Sequence, residues 1–283
     1  MAINYNAAIP LNMFLQKRAG SISLTTQQNI DQLIKSLFAN NEQGFAYDPN
    51  DLSAIFQDVA GTIPVTGAGQ PVGLIKDKSG RGNHAMQTVS ASRPILQRNA
   101  TTGAYYLAFD GSDDFLVTNS INFTATDKIS LFAGVRKLSD AATGIVCELS
   151  SSLIANNGTF YLLAPTSYGI DSVGFTSKGT LASGANATGY VSPASLVITG
   201  QASISTPLSR LRINGVIKLT STASQGTGNY GNYPLYIGRR GGTSLPFNGH
   251  IYGLIGVGRL STDNETLAIE KELAKRVGVT LNV

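Results

Sequence analysis

Three clustered carboxylates are the first residues of this chain whose types and spacing suit chemistry. Asp110, Asp113 and Asp114 fall within five residues of one another, around Gly111. Clusters of carboxylate oxygens bind hard cations such as calcium. The same residue types close tight turns, because Asp side chains accept hydrogen bonds from nearby backbone amides. We favour the turn and keep a calcium site at these aspartates as the alternative. No other cofactor is expected.

The glutamates are placed badly for hydrolysis of a glycosidic bond, which needs two carboxylates flanking the bond at a fixed separation. Glu42 and Glu148 stand alone, and the other three fall on a predicted C-terminal helix: Glu265, Glu270 and Glu272. We therefore predict no catalytic residue and a protein that is not an enzyme. A polysaccharide-degrading enzyme remains a weaker alternative, since aspartates can replace glutamates in such a pair.

Other reactive side chains show no catalytic or metal-binding spacing. His84 and His250 are the only histidines and are 166 positions apart (250 − 84), which does not resemble a zinc motif. Cys147 lies among apolar residues, and this favours a buried, unreactive thiol. Arg239 and Arg240, in a glycine-rich loop, are interpreted as ordinary surface charges.

A second group of residues suits saccharide recognition, in which an aromatic ring packs on the sugar and amides bind its hydroxyls. The chain has no tryptophan, so tyrosine is the natural candidate for the ring. Six predicted loop residues have suitable types, and we take them as the candidate carbohydrate-binding residues: Tyr168, Tyr190, Asn229, Tyr230, Asn232 and Tyr233.

Composition excludes several functional classes. The net charge is +4, but the 21 basic residues are scattered, whereas nucleic-acid binding needs a concentrated basic patch. No apolar stretch approaches the roughly 20 residues that cross a bilayer, and no signal peptide is recognisable at the start. We expect neither a nucleic-acid partner nor a membrane partner. A single cysteine forms no internal disulfide, so the fold must be stable without one.

Elements that position these residues are mostly short strands separated by turn signals, a spacing typical of an antiparallel β-sandwich. Asn214-Gly215 between two apolar runs predicts a type I′ hairpin. Strands are predicted at 104–109, 114–118, 129–136, 145–149, 159–163, 172–176, 196–201, 208–213, 216–220, 235–238 and 250–257. The region 44–94 reads as rich in turns.

Two helices are predicted, one near each end of the sequence. An apolar stripe ending at Phe38 predicts an amphipathic helix over 24–38, with Thr25 and Gln28 as its capping box. That stripe must pack on the sandwich, a symmetry mate or a larger assembly. Near the C-terminus, Thr262 starts a second helix that Gly278 ends.

Three segments together resemble the laminin-G-like branch of the concanavalin A-like lectin/glucanase superfamily, as found in bacteriophage and prophage structural proteins. They are DKSGRGNHA at 77–85, FDGSDDFL at 109–116 and FNGHIYGL at 247–254. The lead-in YDPNDLS at 47–53 is similar to that of the phage members. The catalytic pattern E-x-D-x-x-E of the glucanase members is absent.

The resemblance implies a jelly-roll sandwich over residues 44–283, behind an N-terminal docking segment over residues 1–43. It also implies a virion structural protein of the tail, fibre, baseplate or head surface, which is assembled in the host cytoplasm. Such a protein would contact other virion proteins through its N-terminal segment, form a homo-oligomer and bind host or environmental glycans. A purely architectural module that cements or decorates the particle, without a sugar site, is the alternative.

Overall fold

Short strands account for most of the chain. The structure is a computed structural model that describes residues 29–169 and 171–283. Within these residues lie the strands β1 Gly44–Tyr47, β2 Ile55–Phe56, β3 Leu74–Ile75, β4 Ala85–Met86, β5 Ile95–Arg98, β6 Tyr105–Asp110, β7 Leu116–Asn122, β8 Lys128–Lys137, β9 Ile145–Leu149, β10 Thr159–Leu163, β11 Val173–Lys178, β12 Ala182–Ala187, β13 Ala194–Ser203, β14 Leu208–Ile213, β15 Val216–Ser221, β16 Asn232–Ile237 and β17 Asn248–Val257.

The strands form two antiparallel sheets. Sheet A has the order β15-β14-β13-β8-β17-β6-β5, and β1 pairs with the part of β17 that β6 leaves free. Sheet B has the order β12-β11-β10-β9-β16-β7-β4-β3-β2. The predicted all-β antiparallel sandwich is therefore confirmed.

Aromatic side chains fill the space between the sheets. Phe160 of β10 meets the rings of Phe123 and Tyr230 edge-on, at centroid distances of 6.1 and 5.6 Å. Phe175 and Phe247 are also fully buried in this core. Burial of one such side chain contributes roughly 2 to 3 kcal/mol, so the inward faces of both sheets hold the fold together without a disulfide.

Helix α1 (Ile30–Leu37) and helix α2 (Asp263–Val277) cover part of the outer face of sheet A. The apolar stripe of α1 packs with α2 on Phe132, Ile255 and Val257, so it lies on the sandwich. The helix begins behind a capping box of Asn29 and Gln32. The Thr25–Gln28 box predicted for it lies outside the described residues.

The second helix and the predicted hairpin are confirmed. Thr262 caps α2 and Gly278 ends it at φ 80°. Asn214 and Gly215 have φ values of 49° and 86° between β14 and β15. The chain after α2 continues across sheet A to this hairpin, where the amide of Asn282 donates to the carbonyl of Asn214 at 2.9 Å.

Six short strands were not predicted from the sequence. The stretch 44–94, expected to be rich in turns, contains β1 to β4 between its turns, and β5 and β12 were also missed. No helix of the described residues is long and apolar enough to span a membrane.

Candidate functional site

The antiparallel strands bring the connecting segments to two opposite ends of the sandwich. Leu163 at the end of β10 pairs with Ile145 at the start of β9, and Ile237 at the end of β16 pairs with Leu116 at the start of β7. One end therefore carries the segments 110–115, 138–144, 164–169, 188–193 and 238–247. We call it the loop rim. The far end carries 123–127, 150–158, 179–181 and 222–231.

The six candidate carbohydrate-binding residues are divided between these ends. Tyr168 and Tyr190 lie on the loop rim. Asn229 lies at the far end, where its side-chain amide donates to the carbonyl of Thr124 at 2.7 Å. Asn232 and Tyr233, expected in a loop, instead begin strand β16 at the far end. The six residues therefore do not form one site.

The prediction for Tyr230 is wrong, because this residue was expected on a loop surface and is buried. Its side chain is 1% exposed, its hydroxyl lies 2.6 Å from Ser177 Oγ, and its ring contacts Phe160. Burial raises the pKa of this phenol. The ring is part of the core, so no sugar can stack on it in this structure.

Tyr168 is the candidate tyrosine whose ring is exposed. Its side chain is 75% exposed, and its backbone amide donates to Thr166 Oγ1 at 3.0 Å, which fixes the base of the turn. The next loop is tied to this turn: Asp171 Oδ2 accepts the amide of Gly189 and the Asp171 carbonyl accepts that of Tyr190, both at 2.8 Å. An exposed ring thus stands on a turn that is hydrogen-bonded to the neighbouring loop.

A third loop joins this group. Asp140 Oδ2 accepts the backbone amide of Ser192 at 2.7 Å, and its carboxylate pairs with the buried Lys137. Two exposed apolar side chains, Leu138 at 38% and Val191 at 66%, lie in the same loops as these polar residues. The rim therefore combines aromatic, apolar and carboxylate groups on connected loops.

The three clustered aspartates close the turn between β6 and β7. Asp110 Oδ1 accepts the amides of Ser112 and Asp113, and Asp114 Oδ2 accepts the amide of Asp110. Asp113 Oδ2 accepts the hydroxyl of Ser92 at 2.6 Å. These bonds support the turn reading. The other oxygen of each carboxylate accepts no hydrogen bond from the described residues, and ligand oxygens of the three lie within 4.8 Å of one another.

Electrostatics within this turn are unfavourable for three negative charges. Desolvation by burial, followed by the charge of Asp110, raises the pKa of Asp114 to about 6. A bound cation would act in the opposite direction by stabilising the ionised form.

All five glutamates are engaged in ion pairs. The pairs are Glu42 and Glu265 with Arg259, Glu148 with Arg240, Glu270 with Arg212, and Glu272 with Lys275.

Two of these glutamates share one guanidinium. Burial tends to raise the pKa of Glu42, but its hydrogen bonds with backbone and Asn40, together with the Arg259 charge, lower it overall. The hydrogen bond from Arg259 is the main cause that lowers the pKa of Glu265 to about 2. A general acid needs a raised pKa, so this pair has the wrong electrostatics for acid catalysis.

Residues of the DKSGRGNHA segment hold a loop against β1. Asp77 Oδ1 accepts the amides of Ala46 and Ser79 at 2.8 and 2.9 Å, and its other oxygen accepts the amide of Asn83. The amide of Asp77 donates to His84 Nδ1 at 3.0 Å. The polar side chains of this segment therefore serve to hold the loop in place by hydrogen bonds.

Cys147 is fully buried, as expected, and burial raises the pKa of its thiol. Arg240 contradicts its interpretation as a surface charge, because it pairs with the buried Glu148 at 2.8 Å. Sequence reasoning also missed Arg136 and Tyr106, which lie next to His250 on the outer face of sheet A.

Comparison with solved structures supports the architecture. The binding domain of botulinum neurotoxin serotype D superimposes with a TM-score of 0.56 at 10% identity, covering 84% of this chain and 52% of that one. The binding domain of botulinum neurotoxin DC, solved in complex with rat synaptotagmin II, gives 0.55 at 12% identity, covering 83% and 52%. A structure concerning neurotoxin type C, whose cell entry depends on two ganglioside molecules, gives 0.55 at 11% identity, with the same coverage.

The chain therefore spans about half the length of these neurotoxin chains. At such identities the likeness shows a shared fold and nothing more. No protein-family model matches the chain. No curated protein matches it in sequence.

Proposed function

We propose that this chain is a non-catalytic β-sandwich module of a bacteriophage particle that binds host or environmental glycans through the loop rim. The observation that carries the proposal is Tyr168, whose exposed ring stands on a turn that hydrogen bonds hold to the neighbouring rim loop. Pre-formed loops favour binding because little conformational entropy is lost when the ligand arrives. The neurotoxin structures of similar fold, one in complex with rat synaptotagmin II and one concerning interaction with two ganglioside molecules, agree with a binding role.

A non-catalytic role is supported by the glutamates. Each is paired with a cation, and the two that share Arg259 have lowered pKa values. The virion assignment depends on the three sequence segments and the lead-in at 47–53. The docking segment proposed for residues 1–43 includes α1, which packs on the sandwich, and its first 28 residues lie outside the described residues.

A glycan array probed with the full chain tests the binding role. We expect reproducible binding to a saccharide class that Tyr168→Ala reduces at least tenfold, because about 1.4 kcal/mol of ring contact is lost. Ile154→Ala is the matched control, since this side chain is 76% exposed in a far-end loop. An array without signal, or equal loss in both variants, would contradict binding at the rim.

The virion assignment has its own test. Mass spectrometry of purified particles should detect this chain at a fixed ratio to the other structural proteins. Its absence from the particles would overturn the assignment and leave the glycan result unaffected. Light scattering of the purified chain would show whether it forms the expected homo-oligomer.

The architectural alternative has one supporting observation. Two exposed apolar side chains lie in far-end loops: Ile154 at 76% and Leu181 at 58%. Exposed apolar groups of this kind suit protein contacts. An array without signal, together with particle images in which both ends of the sandwich contact neighbouring proteins, would favour this function.

A further inference from the structure

The helices leave part of the outer face of sheet A uncovered. In that part His250 of β17 lies opposite Arg136 of β8, and Arg136 lies opposite Ser195 of β13. Tyr106 of the neighbouring β6 stacks on the His250 ring at 4.1 Å. All four side chains are partly exposed. We call this group the Arg136 strip.

Arg136 differs from every other arginine in the described residues. Each of the others donates at least one hydrogen bond to a carbonyl, an amide or a carboxylate. The guanidinium of Arg136 makes no hydrogen bond and no ion pair with a described residue. A guanidinium presents five N–H donors in a planar fork that fits a carboxylate, so this one is available for an anionic group.

Two buried polar atoms in the strip also have no partner. Arg136 Nε and His250 Nδ1 are both inaccessible to solvent and form no hydrogen bond with the described residues. A buried polar atom without a partner costs roughly 1 to 3 kcal/mol. Because both atoms are closed to solvent, a ligand at the strip would contact the outer nitrogens of Arg136, which are not among the buried atoms.

Aromatic rings border these atoms. The Tyr106 and His250 rings are inclined by only 21°, and the Tyr252 ring lies 4.9 Å from that of Tyr106. Asn99 Nδ2 donates to the Tyr252 hydroxyl at 3.0 Å, which holds that ring in place. Partly exposed aromatic carbon beside a cation suits a ligand that has both an apolar face and a negative charge.

The charge of the strip comes from Arg136. Burial and then the Arg136 charge lower the pKa of His250 to about 4, so the imidazole is neutral at pH 7. Burial raises the pKa of the Tyr252 phenol, which is therefore uncharged at that pH. A neutral His and one unpaired guanidinium therefore favour an anion over a cation.

We propose that the Arg136 strip binds acidic saccharides, with the sugar carboxylate on the Arg136 guanidinium and the sugar ring against Tyr106 and His250. The ligand class rests on the proposed glycan-binding function. The location does not depend on Tyr168, because the strip is on the face of sheet A and not on the rim loops.

Titration of the full chain with glucuronate, glucose and acetate, followed by NMR, tests the proposal. We expect glucuronate to shift the Arg136 Nε and His250 side-chain signals, with a Kd at least tenfold below those of glucose and acetate. Arg136→Gln should weaken glucuronate binding at least tenfold, whereas Arg136→Lys should retain part of it. Arg98→Gln is the matched control, because it removes one positive charge from the neighbouring edge of sheet A and should leave the Kd unchanged.

Each other outcome overturns the proposal in a recognisable way. Equal binding of acetate and glucuronate would indicate a simple anion site, or one for a carboxylate of a neighbouring protein. Equal binding of glucose and glucuronate would show that Arg136 does not bind the sugar carboxylate. The absence of a shift with any of the three ligands would show that the strip is not a binding site for them. Tyr168→Ala should abolish rim binding and leave the glucuronate shifts intact, so the two proposals can fail separately.

Discussion

Glu148 and Arg240 form a buried ion pair on the outer face of sheet B, with 2.8 Å between Glu148 Oε2 and Arg240 Nε. The other carboxylate oxygen accepts the amide of Leu153 at 2.5 Å, and the guanidinium lies 5.7 Å from the centre of the Tyr161 ring. The pair thus joins loop 150–158 to the loop rim. Burial raises the pKa of Glu148, although Arg240 acts in the opposite direction.

Arg240→Ala should strongly destabilise the fold. It leaves a fully buried carboxylate without its cation, and breaking a buried pair in this way costs roughly 3 kcal/mol or more. Chemical denaturation would measure the loss. Because the Glu148 pKa is raised in the folded state, its protonation stabilises the fold below the unfolded-state pKa, and this stability is lost as pH rises. The loss caused by Arg240→Ala should therefore be smaller at pH 5 than at pH 8, since a larger fraction of Glu148 is uncharged at the lower pH and needs no cation.

Arg239→Ala is the control for that experiment. Arg239 is the neighbouring residue, and its guanidinium donates a hydrogen bond from Nη2 to the carbonyl of Thr243. We expect its change in the free energy of unfolding to stay below about 0.5 kcal/mol. Equal effects in the two variants would show that the ion pair has no special importance.

Tyr230→Phe and Tyr168→Phe together test whether Tyr230 contributes to stability and not to glycan binding. The substitution removes the hydrogen bond to Ser177 Oγ and should lower the free energy of unfolding by about 1 kcal/mol. Tyr168→Phe should leave stability unchanged, because its ring is exposed. Binding on the glycan array should be the same for Tyr230→Phe and the wild type. A loss of glycan binding without a loss of stability would show that Tyr230 is reached by ligand after all.

Local signals explain which elements the sequence predicts well. The hairpin at Asn214-Gly215 and the capped start of α2 at Thr262 depend on residues close in the chain, and both are confirmed. Three strands were predicted with the bounds that the structure has: Ile145–Leu149, Thr159–Leu163 and Leu208–Ile213.

The missed elements depend on distant residues. Strand β1 is formed by pairing with β17, where Gly44 lies opposite Val257, more than 200 positions away. All four residues of β1 are buried, so the strand shows no alternation of apolar and polar residues. The absence of a partner for Arg136 and the burial of Arg240 are likewise properties of the folded arrangement. No periodicity in the sequence indicates either of them.

Titration of His250 tests the electrostatics of the Arg136 strip. The wild-type imidazole should titrate near pH 4, and Arg136→Gln should raise that pKa while keeping it below the usual value, because burial is the larger cause. Side-chain NMR can follow this directly, since the chain contains only two histidines.

The same shift has a consequence for stability. A His pKa lowered in the folded state gives stability above the unfolded value of about 6.5, which is lost as pH falls from there through 4. Arg136→Gln should therefore flatten this part of the stability profile, and Arg98→Gln should not. An unchanged His250 pKa in Arg136→Gln would contradict the electrostatic effect of the Arg136 charge on His250.

Gly215→Ala should destabilise the hairpin between β14 and β15. Alanine at φ 86° is strained by roughly 1 to 2 kcal/mol, and the added Cβ would lie 2.5 Å from Val283 Cγ1. Gly67→Ala is the control, because no atom lies within 4 Å of the added Cβ and φ is not positive there. Thermal unfolding should give a lowered Tm for Gly215→Ala and no decrease for Gly67→Ala. Equal Tm values would mean that the hairpin tolerates the strained residue.

Asp114→Asn tests the acidic turn. The pKa of Asp114 is raised to about 6, so its protonation favours the folded state below the unfolded value of about 3.9, and that stability is lost as pH rises through 6. The wild type should lose about 1 to 2 kcal/mol between pH 4 and pH 7 through this group, after allowance for screening by solvent. Asp114→Asn should lose none of it.

Calcium added to the wild type decides between the two readings of the same turn. If the aspartates only close the turn, 5 mM calcium should leave the Tm at pH 7 unchanged, because a ligand stabilises only the state that binds it. A rise in Tm with calcium that Asp114→Asn abolishes would establish the metal site instead. Magnesium is the control, because it demands a tighter octahedral geometry and should not reproduce a calcium effect at a flexible carboxylate turn.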